Sequence, residues 1–275
     1  MLTGRRSTNM IKIFVLIAAC VITLFPVAWM ISTAFTPNGE AFSSIIPAHA
    51  TIGNFITLFG LRDQFPIIRW LCNSLLVATC TAVLVTLIDS LAAFALARLR
   101  FWGRKVIFNM VIVSLVVPFI ALLIPLYVEF AKYNLIDSYW ALILPYTSNA
   151  FGVFLLYQFF IGIPNELQEA AVMDGANKLI IWKNIFLPLS TPATATLALL
   201  TFMNVYNDFF WPLVATTSTP MRTLTVGVQV VSVSQYSTNY PLLMTATLIS
   251  VIPMVIAFLF TQRQLMQGVV MTGIK

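Results

Sequence analysis

The chain has 275 residues, of which 60% are hydrophobic and only 9% charged, against about 25% charged in an ordinary soluble domain. So few charges cannot cover a water-soluble fold of this length, and the composition points to a protein solvated by lipid. The net charge of +6 does not indicate a nucleic-acid partner, because the Lys and Arg residues sit in short clusters between apolar runs and not on one solvated face.

Residues 1–12, with Arg5, Arg6 and Lys12, precede the first apolar run, Ile13 to Ala34. This order is that of a signal peptide, and Ile17-Ala18-Ala19-Cys20 resembles a lipoprotein cleavage box. The run continues past Cys20 to Ala34, long enough for the roughly 20 apolar residues a spanning helix needs, so an uncleaved first span is expected. Residues 35–70 hold turn formers (Pro37-Asn38-Gly39, Pro47, Gly53-Asn54) with Phe55 and Phe59, and read as a folded loop. His49 lies there with no Cys or carboxylate cluster near it, and no metal site is expected.

Five more apolar runs follow in a core at residues 71–262: Leu71 to Leu96, Val106 to Tyr127, Trp140 to Phe160, Ala193 to Val214 and Leu242 to Thr261. Pro26, Pro118, Pro145 and Pro253 fall inside runs, where neighbouring helices in a membrane can satisfy the freed backbone groups, so they mark kinks or breaks. Cys20, Cys72 and Cys80 also fall inside runs, where free Cys behaves as a small hydrophobe. With the N-terminus inside, eleven of the fifteen Lys and Arg residues lie on the cytoplasmic side, leaving Arg62, Arg69, Lys132 and Arg222 for the other face. Both termini, residues 1–12 and 263–275, are therefore expected in the cytoplasm.

Between the fourth and fifth runs lies a connection at residues 161–192, far longer than a turn requires. Pro164 to Asp174 predicts a helix with Pro in its first turn and Glu166 near its positive end. Gly175 is placed to end it in a left-handed conformation, Asn177 to cap a second short helix through Trp182, and Pro188 with Pro192 to end the unit. The product is an elbow with Ala170, Ala171 and Ala176 at its bend, where small side chains admit a close partner. Glu169 and Asp174 can offer charge-assisted bonds to basic groups. A surface-lying amphipathic helix is the plain alternative, but it would favour Lys and Arg over this acidic, Ala-rich half.

Farther on, Asn204, Asn207 and Trp211 recur at spacings of three and four, which places them on one face of a continuous fifth span. Amides and an aromatic ring on one face suit hydroxyl-rich sugars, and interhelical packing through Asn is the competing reading. Asp89, within the second run, and Asp208, near the end of the fifth, are the ionisable residues at membrane depth. Such residues are functional candidates by default, with helix bracing for Asp89 and a wetted helix end for Asp208 as alternatives.

Glu169-Ala170-Ala171, Asp174-Gly175-Ala176 and Ile185-Phe186-Leu187-Pro188 resemble the EAA loop of membrane subunits of bacterial ABC importers, in the spacing E-A-A-x3-G-x9-I-x-L-P. Asn177 stands where Ser is usual and Trp182 where Phe is usual. Tyr206-Asn207-Asp208-Phe209-Phe210-Trp211-Pro212-Leu213 is similar to the W-N-D/E-F-x-W-P-L of the carbohydrate-uptake branch, with Tyr206 departing from Trp. The tail, Gln262-Arg263 to Gly268 and Gly273-Ile274-Lys275, is similar to that branch's Q-R-x4-G ending, although Val270-Met271-Thr272 diverge and the last Gly is absent.

The resemblance runs over nearly the whole chain. It implies an all-α membrane protein with six transmembrane helices, the type I ABC importer permease fold, and a cytoplasmic coupling helix. It further implies a non-enzymatic half-channel for a sugar in the bacterial cell membrane. Glu169, Ala170, Ala171, Asp174, Gly175, Ala176, Ile185, Leu187 and Pro188 would seat in an ATPase, and Asn204, Asn207, Asp208 and Trp211 would be candidates for the substrate path. The implied partners are a second related permease, two ATP-binding subunits and an extracytoplasmic sugar-binding protein. ATP and Mg would belong to the ATPase, since no G-x4-G-K-S/T loop occurs in this chain, and no cofactor is expected on it. The alternative is a secondary transporter driven by an ion gradient through Asp89 and Asp208.

Overall fold

Apolar runs have few ways to satisfy their backbone groups in lipid, and the helix is the one that closes every hydrogen bond within the segment. The computed structural model describes the backbone of residues 2–41 and 45–272, and the side chains of residues 12–41, 45–260 and 262; among these, the regular elements are helices. The tail ending Gly273-Ile274-Lys275 lies outside the described residues. Among the described residues three helices are long and apolar enough to cross a membrane: Lys12–Ala34, Ile67–Arg98 and Tyr240–Phe260. Three bent pairs bring the number to six if each is one span.

The chain divides into two compact units. One comprises Met1–Ile67 and Gly227–Ile252. It holds α1 (Leu2–Ala34) and α2 (Gly53–Gly60). The last carbonyls of α1 have no partner within their own helix. Asn54 of α2 supplies one, its Nδ2 donating to the Ala34 and Thr36 carbonyls at 2.9 and 2.8 Å. Thr245 adds a second donor to Ala34, at 3.2 Å, and Phe35 packs on Phe55 with ring centroids 5.1 Å apart. Along α1, Phe14, Ile22 and Leu24 are exposed, as expected of a helix whose surroundings are lipid or another subunit.

The second unit comprises Ile68–Val226 and Pro253–Lys275. It is built on α3 (Ile67–Arg98), which is unbroken because no Pro or Gly interrupts it. The third apolar run is not one rod. α4 (Arg104–Ser114) and α5 (Phe119–Lys132) meet at 102°. Pro118, with φ −71° and ψ 129°, is extended and has no N–H to continue the ladder. The fourth run is α6 (Tyr139–Ile143), a 3-10 turn over Leu144–Thr147 and α7 (Ala150–Ile161), bent by 43°. Ser138 and Asn149 restart these helices by accepting from the N–H groups of Ala141 and Gly152, each at 3.2 Å.

The fifth run is also shorter than its sequence suggests. α8 (Asn165–Met173), α9 (Lys178–Ile181) and α10 (Leu187–Leu189) fill the connection before it, α11 (Thr191–Asn207) stops where Asp208 turns extended, and the remainder of the run is a separate helix, α12 (Phe210–Ala215). At 17 residues α11 measures roughly 25 Å, near the lower limit for crossing. The elements α13 (Leu224–Ser232) and α14 (Tyr240–Thr272) complete the chain; both cross the division between the units.

The core of the second unit joins Val85, Ala93, Phe94 and Leu96 of α3 to Val153, Leu156 and Phe160 of α7 and to Ala193 and Leu197 of α11. At its centre Asp89 is buried, and its Oδ2 meets no hydrogen-bond partner among the described residues. Gly152 is what admits it: a Cβ built there would lie 1.9 Å from that oxygen and 2.8 Å from Cδ1 of Leu197. The close approach of α3 to α7 therefore depends on a missing side chain. Overfilling such a site costs about 1–3 kcal/mol. Gly152→Ala is expected to lower the Tm of the purified protein, and adding Asp89→Ala is expected to recover most of the loss. Strictly additive losses in the double variant would show that the two positions are not in contact.

Candidate functional site

The connection at residues 161–192 folds as an elbow from local signals. α8 (Asn165–Met173) begins after Pro164 and carries Glu166 in its first turn. It ends in a Schellman motif: the Gly175 N–H donates to the Val172 carbonyl at 3.0 Å and the Ala176 N–H to the Ala171 carbonyl at 2.9 Å. Gly175 sits at φ +81°, a conformation in which an L side chain is strained by about 1–2 kcal/mol. No atom lies within 4 Å of the position its Cβ would take, so the constraint there is backbone conformation and not space.

Asn177 then starts α9 (Lys178–Ile181), its Oδ1 accepting from the Ile180 N–H at 2.9 Å. A π-helical turn over Trp182–Phe186 and a last turn, α10 (Leu187–Leu189), lead to Ser190. Pro188 lies within the last turn of this segment and Pro192 in the first turn of α11, and the break falls between the two prolines, at Ser190. The segment Lys178–Leu189 meets α11 at 82°.

What holds the elbow is an aromatic node. Phe186 is fully buried and meets Phe94 of α3 edge-on at 5.0 Å and Phe160 of α7 at 5.4 Å between ring centroids. The Arg98 guanidinium lies 4.9 Å from the Phe186 centroid, within cation–π range. The same guanidinium donates to the carbonyls of Phe160 and Ile163, at the end of α7, and to Oδ1 of Asn165, at the start of α8. One side chain from the end of α3 thus joins the end of α7 to the beginning of the elbow. Ala171, Ala176, Trp182 and Ile185 pack against this core.

The opposite surface is unpartnered. Glu169, Ala170, Asp174, Gly175 and Pro188 are exposed, and Ala171, Ala176, Ile185 and Leu187 are half-buried. Beside them stand exposed apolar side chains, Leu167, Val172, Leu179, Ile180 and, at 87% exposure, Met173. An apolar patch bordered by carboxylates has the make-up of a protein-docking surface.

The second candidate group is only partly brought together. Asn204 and Asn207 are exposed on α11, one turn apart. Trp211 leaves that face, because α11 has already ended: it is fully buried on α12, with its indole N–H donating to the Ala141 carbonyl at 2.8 Å. Asp208 is held at the break by three contacts. Tyr146 donates to its Oδ2, the Phe210 N–H reaches its Oδ1 at 3.2 Å, and Thr225 donates to its carbonyl at 2.8 Å.

Nearby, Asn73 of α3 donates to the carbonyls of Pro220 and Arg222 at 2.8 and 2.9 Å and accepts from Tyr139 at 2.7 Å. Asp137 accepts from the N–H groups of Thr217 and Ser218 at 2.9 and 3.0 Å. Burial raises the Asp137 carboxyl, but hydrogen bonds from Ser218 and Thr217 outweigh it and leave it below the usual carboxylate value. Among the described residues no group of three or more His, Cys, Asp and Glu is placed to hold a metal ion.

Residues 89–270 match the family described as "Binding-protein-dependent transport system inner membrane component". The arabinooligosaccharides transport system permease protein of Halalkalibacterium halodurans is 34% identical over 92% of this chain and 92% of its own length. The sn-glycerol-3-phosphate transport system permease protein of Yersinia pestis is 31% identical over 98% of this chain and 99% of its own. In the crystal structure of a bacterial ABC transporter involved in the import of the acidic polysaccharide alginate, one chain superposes with a TM-score of 0.84, covering 94% of this chain and 97% of that one at 20% identity. That last likeness is one of fold.

Sequence reading did not single out Arg98 beyond its charge; the structure makes it the pin of the elbow. Hydrogen bonds to a charged group contribute about 1.5–3 kcal/mol each. Arg98→Ala is expected to speed amide exchange over residues 163–189 by about tenfold or more, leaving residues 208–224 unchanged. Arg98→Lys, a point charge without the planar fork, is expected to restore only part of the protection. Unaltered exchange in Arg98→Ala would contradict the role.

Proposed function

The chain belongs to the family of binding-protein-dependent transport system inner membrane components, and from that premise we propose that it forms half of the pathway of an ATP-driven importer for a sugar or oligosaccharide. It is a permease, a membrane channel component and not an enzyme. The observation that carries the coupling role is the elbow: a docking patch of Glu169, Ala170, Asp174 and Gly175 on one side and the Phe186 node on the other. The excess of Lys and Arg on the elbow's side of the chain supports its placement in the cytoplasm, together with both termini, in the inner membrane of a bacterial cell.

In this reading two ATP-binding subunits bind and hydrolyse ATP with Mg, and their closure moves α8. The rigid turn at Gly175 and the buried ring of Phe186 pass that movement to α3 and α7, and the bend at Ser190 passes it to α11. A second, related permease completes the channel, and an extracytoplasmic binding protein delivers the cargo. The relatives' names carry arabinooligosaccharides and sn-glycerol-3-phosphate, both rich in hydroxyl oxygens. The exposed amides of Asn204 and Asn207 have the donors and acceptors to meet such a cargo. An ion-gradient transporter finds no such support. Asp89 is buried against the backbone of Gly152 and Asp208 is occupied by Tyr146 and Phe210.

Gly175 separates conformation from charge in a direct test. Asn and Asp both tolerate the left-handed region, but only Asp adds a second negative charge beside Asp174. Gly175→Asn is expected to retain most ATP-driven sugar uptake, whereas Gly175→Asp is expected to assemble and yet lose at least about tenfold in uptake, a factor equal to roughly 1.4 kcal/mol of coupling. ATP hydrolysis should persist in the second variant. Normal uptake by Gly175→Asp would count against docking through this turn.

A further inference from the structure

The turn between α3 and α4 carries Arg100, and the start of α4 carries Arg104 and Lys105; the sequence holds no carboxylate between Asp89 and Glu129 to offset them. Arg98 is not part of this charge, being committed to Phe160, Ile163 and Asn165. Arg104 spends one N–H on the Leu99 carbonyl at 3.2 Å, which closes the turn, and its guanidinium keeps its other donors. Interleaved with the cations are Phe101, Trp102, Val106 and Ile107, all exposed, with Trp102 at 99%. Residues 100–107 line one open groove of about 940 Å3. None of these features is used by the elbow or by the candidate substrate path.

We propose that this groove seats the headgroup of an anionic phospholipid. The turn leaves a spanning helix at Arg98 and enters another apolar helix at Arg104, so it lies at the depth of the headgroups. There a phosphodiester meets the cations, and indole rings prefer that same layer. The combination selects the occupant. A free phosphate would use the cations but has nothing to cover Trp102, Val106 and Ile107. An acidic protein would leave the same side chains facing the acyl region. A lipid covers both, with its phosphate on Arg100, Arg104 and Lys105 and its glycerol and upper chains along the ring and the aliphatic side chains.

The test uses the full chain, with whatever subunits purify alongside it, in mixed vesicles of phosphatidylglycerol and phosphatidylcholine. Lipid retained after detergent extraction is quantified by mass spectrometry. Phosphatidylglycerol is expected to be enriched in the parent, and Arg100→Gln with Arg104→Gln and Lys105→Gln is expected to reduce that enrichment by about tenfold. Trp102→Ala, which keeps every charge, is expected to give a smaller loss, so the result does not rest on one variant's insertion. Millimolar inorganic phosphate is expected to leave the lipid in place. Equal enrichment in parent and triple variant would overturn the proposal. So would displacement of the lipid by inorganic phosphate, or a photoreactive residue at Trp102 that labels a protein subunit instead of lipid.

Discussion

The ring of Phe186 stands between α3, α7 and the elbow, and the rest of the site depends on that contact. An aromatic side chain buried among two others cannot shift alone, because a close-packed interior transmits displacement instead of absorbing it. Arg98 reinforces the joint from a different direction, through the carbonyls of Phe160 and Ile163 and the face of the same ring. The elbow is therefore stiff where it meets the spans and bare where it faces outward. That polarity is what a lever between a partner subunit and a membrane helix requires.

The breaks in the spans follow a second constraint, that polar backbone groups away from water must find partners. The interruptions of the fourth and fifth runs are met by specific donors and acceptors. Ser138 and Asn149 restart helices in the fourth run. Asp208, at the end of α11, is surrounded by Tyr146, Phe210 and Thr225. Asn73 uses both its amide donors and its oxygen on residues from α6 and from the segment before α13. Among the described residues Asp89 is one of several buried side chains with an unpartnered polar atom, its Oδ2 lying against Gly152.

How much of this could be read from the sequence divides along the range of the interaction. The helix, turn and cap at Asn165–Ile181 were legible because a Schellman glycine and an Asn cap act within six residues of themselves. The membrane class was legible from composition, and the family from the spacing of Glu169 to Pro188. Arg98 was not legible, because its acceptors lie more than sixty residues away and a basic residue at a span end already has an ordinary topological reading. Trp211 was misplaced for a different reason. Its spacing from Asn204 and Asn207 is helical, but the helix does not survive Asp208, and periodicity carries no information across a break. Pro118 signalled an interruption in the third run, yet a proline marks a break without fixing its angle, here 102° between α4 and α5.

The most direct measurement of coupling through the elbow is photo-crosslinking from a reactive residue placed at Ala170, in membranes, with and without ATP. Ala170 is exposed and lies on the carboxylate-bearing side of α8, away from the Phe186 node. An adduct with the mass of this chain plus an ATP-binding subunit, in a yield that changes with ATP, is the expected result. An adduct confined to lipid, or a yield indifferent to ATP in membranes that transport normally, would contradict coupling at this surface.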